Sequence, residues 1–240
     1  MTTETAHASE AGRIRELFES GYARDWSDRS WRWHPRNPTA VYHRHILERA
    51  VIEVLNEGDV DLQGLDVLDL GCGYGQHLRM LVELGAEPGR LHGVDLVPAR
   101  IEEAARMSPH IDFAVADATR LPYADASLDL VCQFTAVSAI VDSEARRAVV
   151  AEMDRVLRPG GRLLWFEITA QQPGAPSRAV PATELRELFA GWRVLSSKPL
   201  FHRWTGRLLG ASMLLCQTLE RLPLPSNNLL ALLIKPQTAP

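Results

Sequence analysis

Cysteine is scarce in this 240-residue chain: Cys72, Cys132 and Cys216 are its three, and none stands in C-x-x-C spacing. That pattern argues against a disulfide framework or a thiolate metal site and implies free thiols in a reducing cytoplasm. An excess of positive charge is missing too. The 26 Lys and Arg against 30 Asp and Glu leave a net charge of -4, which sets up no field to attract the phosphates of a nucleic acid. The longest apolar patch, residues 208–219, is broken by polar side chains and followed by Glu220 and Arg221, which makes it too short to span a bilayer. Residues 1–10 are polar, without the basic-then-apolar order of a secretory leader. Internal repeats and low-complexity tracts are absent. These absences lead to the expectation of a soluble cytoplasmic protein, with no nucleic-acid partner, no membrane span and no metal.

What is present is the composition of a globular domain, 46% hydrophobic and 23% charged, in a chain long enough for one full core. Apolar strand patterns at 67–70, 91–95, 111–116, 127–134, 192–197 and 229–234 alternate with helical patterns at 76–84, 98–107, 143–157 and 183–190. A further helix from Thr39 to near Gly58 presents Ile46, Leu47, Ala50, Val51, Val54 and Leu55 on one face, suited to packing on a sheet. The alternation predicts an α/β fold, a doubly wound Rossmann-like sheet whose ligand crevice lies at the carboxyl ends of its strands. Residues 1–12 read as a frayed polar end, followed by a short helix built on Ile14, Leu17, Phe18 and Tyr22. The segment Trp26–Pro38 carries Trp26, Trp31 and Trp33 and reads as an ordered lid. The expected organisation is one structural unit, with an N-terminal helical cap or lid over 1–58 and an α/β domain over 59–240. Within it, residues 198–225, with an amphipathic stretch Trp204–Leu222, form a cap insertion. Gln171–Pro181 is proline-rich and reads as a mobile surface loop.

The run Val67-Leu68-Asp69-Leu70-Gly71-Cys72-Gly73-Tyr74-Gly75 carries the most chemistry. It is a buried strand leading into D-x-G-x-G-x-G, where closely spaced glycines let backbone approach a ligand. A dinucleotide fingerprint needs its third glycine one residue later, where this chain has Gln76. Asp69, two residues before the first glycine, would repel a pyrophosphate and attract a cationic amino-acid moiety. The spacing therefore favours S-adenosylmethionine over NAD.

At these residues the chain resembles the class I S-adenosylmethionine-dependent methyltransferases of the bacterial small-molecule type, over about residues 40–170. Four later segments fit in order: Leu91-His92-Gly93-Val94-Asp95, the strand before Asp117-Ala118, Ser127–Phe134, and Val156-Leu157-Arg158-Pro159-Gly160-Gly161. The resemblance implies a seven-stranded sheet with an antiparallel strand seven. It also implies a cofactor held by Asp69, Gly71, Cys72, Gly73 and Gly75, with Asp95 and Leu96 at the ribose and Asp117 and Ala118 at the adenine. Gln133 and Phe134 are expected near the transferred methyl. The exit Gln133-Phe134-Thr135-Ala136 lacks the N/D-P-P-Y/F motif of enzymes that methylate nucleobase amines.

Methyl transfer needs in-line approach and exclusion of water more than covalent catalysis. A hydroxyl acceptor also needs a base, for which His34, His43 and His45 are the candidates, with His202 and Glu167 behind them. Arg32, Arg36, Arg44, Lys198 and Arg203 together could hold an anion. The resulting expectation is O-methylation of a small-molecule acceptor in natural-product or glycan biosynthesis, by a monomer or homodimer. The alternatives are N-methylation, methylation of a carboxylate or phosphonate, and cofactor binding without catalysis.

Overall fold

The computed structural model describes residues 3–20, 36–171, 173–202 and 226–237. The elements are α1 (Thr3–Ser20), α2 (Pro38–Glu57), β1 (Val67–Leu70), α3 (Gln76–Glu83), β2 (Leu91–Asp95), α4 (Pro98–Met107), β3 (Asp112–Val115) and β4 (Leu128–Phe134), then α5 (Ser143–Val156), β5 (Leu157–Ile168), α6 (Ala182–Leu188), β6 (Arg193–His202) and β7 (Ser226–Ile234). The seven strands form one sheet in the order β3-β2-β1-β4-β5-β7-β6. Neighbours from β3 to β5 pair in parallel, and β7 runs antiparallel to both β5 and β6. The fold is the doubly wound one that the βαβ rhythm implies. The order reverses between β1 and β4, so a crevice opens where loops leave β1 in one direction and β4 in the other.

Each sheet face has its own core. On one side Val67, Leu91, Leu130, Leu164 and Leu232 pack against Ile46, Ala50, Val51 and Val54 of α2, Leu78 and Leu81 of α3 and Ile101 of α4. On the other, Leu68, Leu70, Val131, Leu163 and Trp165 meet Val149, Val150 and Met153 of α5 and Leu185 of α6. The period-two alternation of strand side chains makes this division. Local signals set the helix starts: Pro98 opens α4, and the Asp142 carboxylate accepts from Ala145 N at 2.7 Å to cap α5. Because α2 contributes to the same core as the sheet, no break in packing falls at residue 58.

Three boundaries differ from the sequence reading. Helix α1 starts at Thr3, so residues 3–12 are not a frayed end; Glu4, Ala6, Ala8, Glu10 and Ala11 are good helix formers. The Pro159-Gly160-Gly161 turn lies inside β5, where Leu128 faces Leu157 but Leu130 already faces Arg162. It is absorbed as a bulge. Strand β6 runs on to His202 opposite Ser226, so residues 198–202 are sheet, because β7 supplies a long partner. The remainder of the expected insertion, with Trp204–Leu222, Arg203 and Cys216, lies outside the described residues. So do Trp26, Trp31, Arg32, Trp33 and His34.

Candidate functional site

Along β1, Leu68 and Leu70 face α5 while Val67 faces α3, which sends Asp69 to the α3 side with Val67. Its pairing neighbours are Gly93 and Cys132, neither of which offers a cation. Asp69 is 1% exposed, and neither carboxylate oxygen has a hydrogen-bond partner among the described residues. Burial, with Asp95 nearby, pushes its pKa well above the usual carboxylate range. A buried acid left without a donor costs about 1–3 kcal/mol, and such a group calls for a ligand.

The glycine loop bends over this acid. The Gly71 and Cys72 amides both donate to the Val94 carbonyl, at 2.8 and 2.9 Å. Gly71 has φ 74°, and a Cβ there would come 2.5 Å from the Ala136 Cβ, so only glycine lets the loops after β1 and β4 meet. Gly73, at φ 54°, is different: a Cβ there would meet nothing within 4 Å. Open space lies in front of that residue. Asp95, 7% exposed, joins the loop to the end of β2; its Oδ2 accepts from Gly73 N at 3.0 Å and its Oδ1 from Val97 N at 2.9 Å. Arg100 Nη1 stands 3.8 Å from the same Oδ2. At the end of β3, Asp117 Oδ1 accepts from both Thr119 N and Thr119 Oγ1 at 2.8 Å, while Oδ2 has no partner among the described residues.

The far wall is the exit of β4. Gln133 is fully buried; its amide nitrogen donates to Phe166 O at 3.3 Å and its oxygen accepts from Ala136 N at 3.1 Å. Its amide therefore shapes the loop. Thr135 is held at φ 62°. Glu167, also fully buried, accepts from Ser138 N at 2.9 Å and Ile168 N at 3.0 Å; burial outweighs these bonds and pushes its pKa up to about 7. Phe134 stacks on His77 with ring centroids 3.9 Å apart and planes 24° from parallel. Burial and the nearby Arg79 push the His77 pKa down to about 3, so its ring is neutral at physiological pH.

A family model described as a methyltransferase domain matches residues 67–161. These residues run from β1 into β5 and contain the buried acid, the glycine loop and both neighbouring walls. Over these residues the chain is similar to the class I S-adenosylmethionine-dependent methyltransferases. A malonyl-[acyl-carrier protein] O-methyltransferase of Hahella chejuensis is 41% identical over 108 residues, covering 44% of this chain and 37% of that protein. A phthiotriol/phenolphthiotriol dimycocerosates methyltransferase of Mycobacterium ulcerans is 32% identical over 175 residues, covering 64% and 63%. The chain thus spans less than two thirds of the length of these curated relatives. The methyltransferase solved with the Trm112 activator of Haloferax volcanii shares the fold at TM-score 0.65 and 20% identity, over 95% of this chain and 99% of that one.

The cofactor of this methyltransferase family is S-adenosylmethionine, and the residues present fit it. Asp69 is a buried carboxyl without a partner among the described residues, suited to a ligand that carries an ammonium and a sulfonium, and the open face of Gly73 leaves room for it. Asp69, Asp95 and Asp117 all stand at carboxyl ends of adjacent strands, and together they favour a cation. Leu96 follows Asp95 half-buried, and Ala118 packs against the α5-side core. Among the described residues no cluster could hold a metal ion, and no helix is long and apolar enough to cross a membrane.

The base candidates separate by position. Glu57, at the C-terminal end of α2, bonds Ser196 and Lys198 early in β6, so the opposite end of α2 carries Tyr42 and His43 toward the carboxyl edge. His43 is half-buried there, whereas His45 is exposed. His202 ends β6. Lys198 is not free to hold an anion, because it binds Glu57 at 2.5 Å and lies 3.8 Å from Glu53. His77 was missed by the sequence reading, although its place two residues after the last loop glycine was a usable signal.

Proposed function

We propose that the protein transfers the methyl group of S-adenosylmethionine to an oxygen of a small-molecule acceptor and releases S-adenosylhomocysteine. The observation that carries this reading is the Asp69 carboxylate, buried without a partner beneath the glycine loop. A cationic amino-acid moiety satisfies it, and a pyrophosphate does not. Asp95 and the free oxygen of Asp117 complete the acidic rim for the ribose and adenine. Phe134 and the neutral His77 ring border the acceptor side, and Gln133 holds the loop that carries them. His43 is the described candidate for proton removal. Oxygen is preferred to nitrogen because the β4 exit lacks the motif of amine methylation on nucleobases. The name of a matched relative, a malonyl-[acyl-carrier protein] O-methyltransferase, supports methylation at oxygen.

The test is titration calorimetry with S-adenosylmethionine and S-adenosylhomocysteine, then product release measured across hydroxyl, carboxylate and amine acceptors. Absence of binding defeats the reading. Binding without turnover on any acceptor class favours a cofactor-sensing protein instead.

A further inference from the structure

Two aromatic rings meet a short way beyond the buried acid. In the sheet register Asp69 lies opposite Cys132 and Leu70 opposite Gln133, and Cys132 and Phe134 share a core with Val67 and Leu78. Side chains alternate along a strand, so Phe134 projects from the same face of the sheet as Asp69, one strand over and two residues nearer the carboxyl edge. With strands about 4.8 Å apart and a rise of about 3.3 Å per residue, the two positions stand about 8 Å apart. His77, in the first turn of α3, lies on the Phe134 ring with centroids 3.9 Å apart. Phe166 backs that ring at 6.4 Å and 47°. Phe134 is buried and His77 half-buried, so the stack is fixed at its base and accessible at the imidazole.

S-adenosylmethionine carries two positive groups, an ammonium and a sulfonium, joined by a chain of three carbons. With the ammonium on Asp69, the sulfonium comes to the level of the ring pair. The polar side chains of the β4 and β5 exits are committed elsewhere. Gln133 and Glu167 alternate onto the opposite face of the sheet, where the Gln133 amide bonds Phe166 O and Ala136 N and the Glu167 carboxylate accepts from Ser138 N and Ile168 N. Thr135 Oγ1 donates to Phe134 O, and Ser138 Oγ to Thr135 O. A sulfonium has no N–H to donate, so it gains little from a hydrogen-bond acceptor and more from the negative face of a neutral ring, above all where water is excluded. Both rings qualify. The Gln76 amide nitrogen stands 3.3 Å from His77 Nε2, a donor that suits an unprotonated ring nitrogen, and burial keeps the imidazole neutral.

We propose that the stacked rings of His77 and Phe134 recognise the sulfonium and so raise the affinity of the site for S-adenosylmethionine relative to S-adenosylhomocysteine. The proposal rests on the cofactor reading above. It divides the two charges of the ligand: Asp69 holds the ammonium that both molecules carry, the rings hold the charge that only the methyl donor carries, and loss of the methyl removes that second attraction. Calorimetry with the full chain reads the division without any acceptor. His77→Leu and Phe134→Leu should each raise Kd for S-adenosylmethionine about three- to thirtyfold, the worth of a cation–π contact, and leave Kd for S-adenosylhomocysteine at its native value. His77→Phe keeps a stacked ring and should keep the native ratio of the two affinities. Thermal melts verify folding, and if Phe134→Leu does not fold, the two variants at the half-buried His77 carry the test. Equal loss for both ligands in folded His77→Leu, no loss for either, or a ratio in His77→Phe as low as in His77→Leu overturns the ring assignment while the cofactor reading stands. Failure of the native protein to bind either ligand removes both.

Discussion

Replacing Asp69 by asparagine tests the central claim, because stability and affinity should move in opposite directions. In the free protein the carboxylate is buried, lies near Asp95 and lacks any donor, so its pKa is raised. A group whose pKa is raised by folding adds stability below its unfolded pKa and loses that contribution as pH rises through the folded value. At a pH above the folded value the ionised acid is therefore a burden that the amide does not share. Relief of about 1 kcal/mol, from the low end of the penalty for an unsatisfied buried group, should raise Tm by about 2–4 °C in a domain of this size. Cofactor affinity should fall instead. A charge-assisted bond is worth about 1.5–3 kcal/mol, so Kd should rise about ten- to hundredfold. If Asp69 serves the amino-acid ammonium, S-adenosylmethionine and S-adenosylhomocysteine should lose affinity equally, since both carry it and only the first carries the sulfonium. Below the folded value, where the free protein holds the acid neutral, calorimetry in two buffers of different ionisation enthalpy should also reveal a proton released on binding to the native protein and none from Asp69→Asn. An unchanged Kd for both ligands, with a lowered Tm, would refute the reasoning.

Asp95→Ala should weaken binding of S-adenosylhomocysteine by about 2 kcal/mol or more, read by calorimetry, because the carboxylate both faces the ribose region and holds the Gly73 and Val97 amides; native affinity in the variant would remove Asp95 from the site. Glu167, pushed up to about 7 by burial, should add stability that is fully present below about pH 4.5 and is lost as pH rises through 7, on the order of 3 kcal/mol. Denaturant melts of Glu167→Gln from pH 5 to 9 should lack that component, and parallel pH curves for variant and native protein would contradict it.

The strands and the glycine loop were legible because their signals are local. A four-residue apolar run before D-x-G-x-G-x-G can end in only a few ways, and β2 and α4 matched their expected bounds at Leu91–Asp95 and Pro98–Met107. The antiparallel β7 came from family likeness, since no local pattern fixes strand direction. What the sequence hid were long-range partners. Nothing near Lys198 announces Glu57, and nothing near Glu10 announces the backbone of Val141 and Asp142, 131 and 132 positions away. Gln133 reads as a ligand-facing residue by its motif position, yet both ends of its amide are taken by backbone that only the fold brings close. His77, in α3, escaped notice because its chemistry depends on Phe134, which lies in β4.

The distribution of paired and unpaired charge locates the working edge without appeal to any relative. At the amino edge of the sheet the acids are matched: Asp129 bonds Arg158, and Asp66 lies 3.4 Å from Arg158 and 3.5 Å from Arg90. Arg158 holds the Asp129 pKa below the usual carboxylate range, which is the behaviour of a structural ion pair. At the carboxyl edge the balance reverses. Among the described residues Asp69 has no partner and Asp117 keeps one oxygen free, and Glu167 and Asp69 both have raised pKa values. One sheet, with similar apolar packing on both faces, thus pairs its acids with arginine at one end and leaves Asp69 without a partner among the described residues at the other. Because an unsatisfied buried acid lowers stability, its placement beneath an open glycine loop is accounted for by the ligand it binds rather than by the fold it weakens.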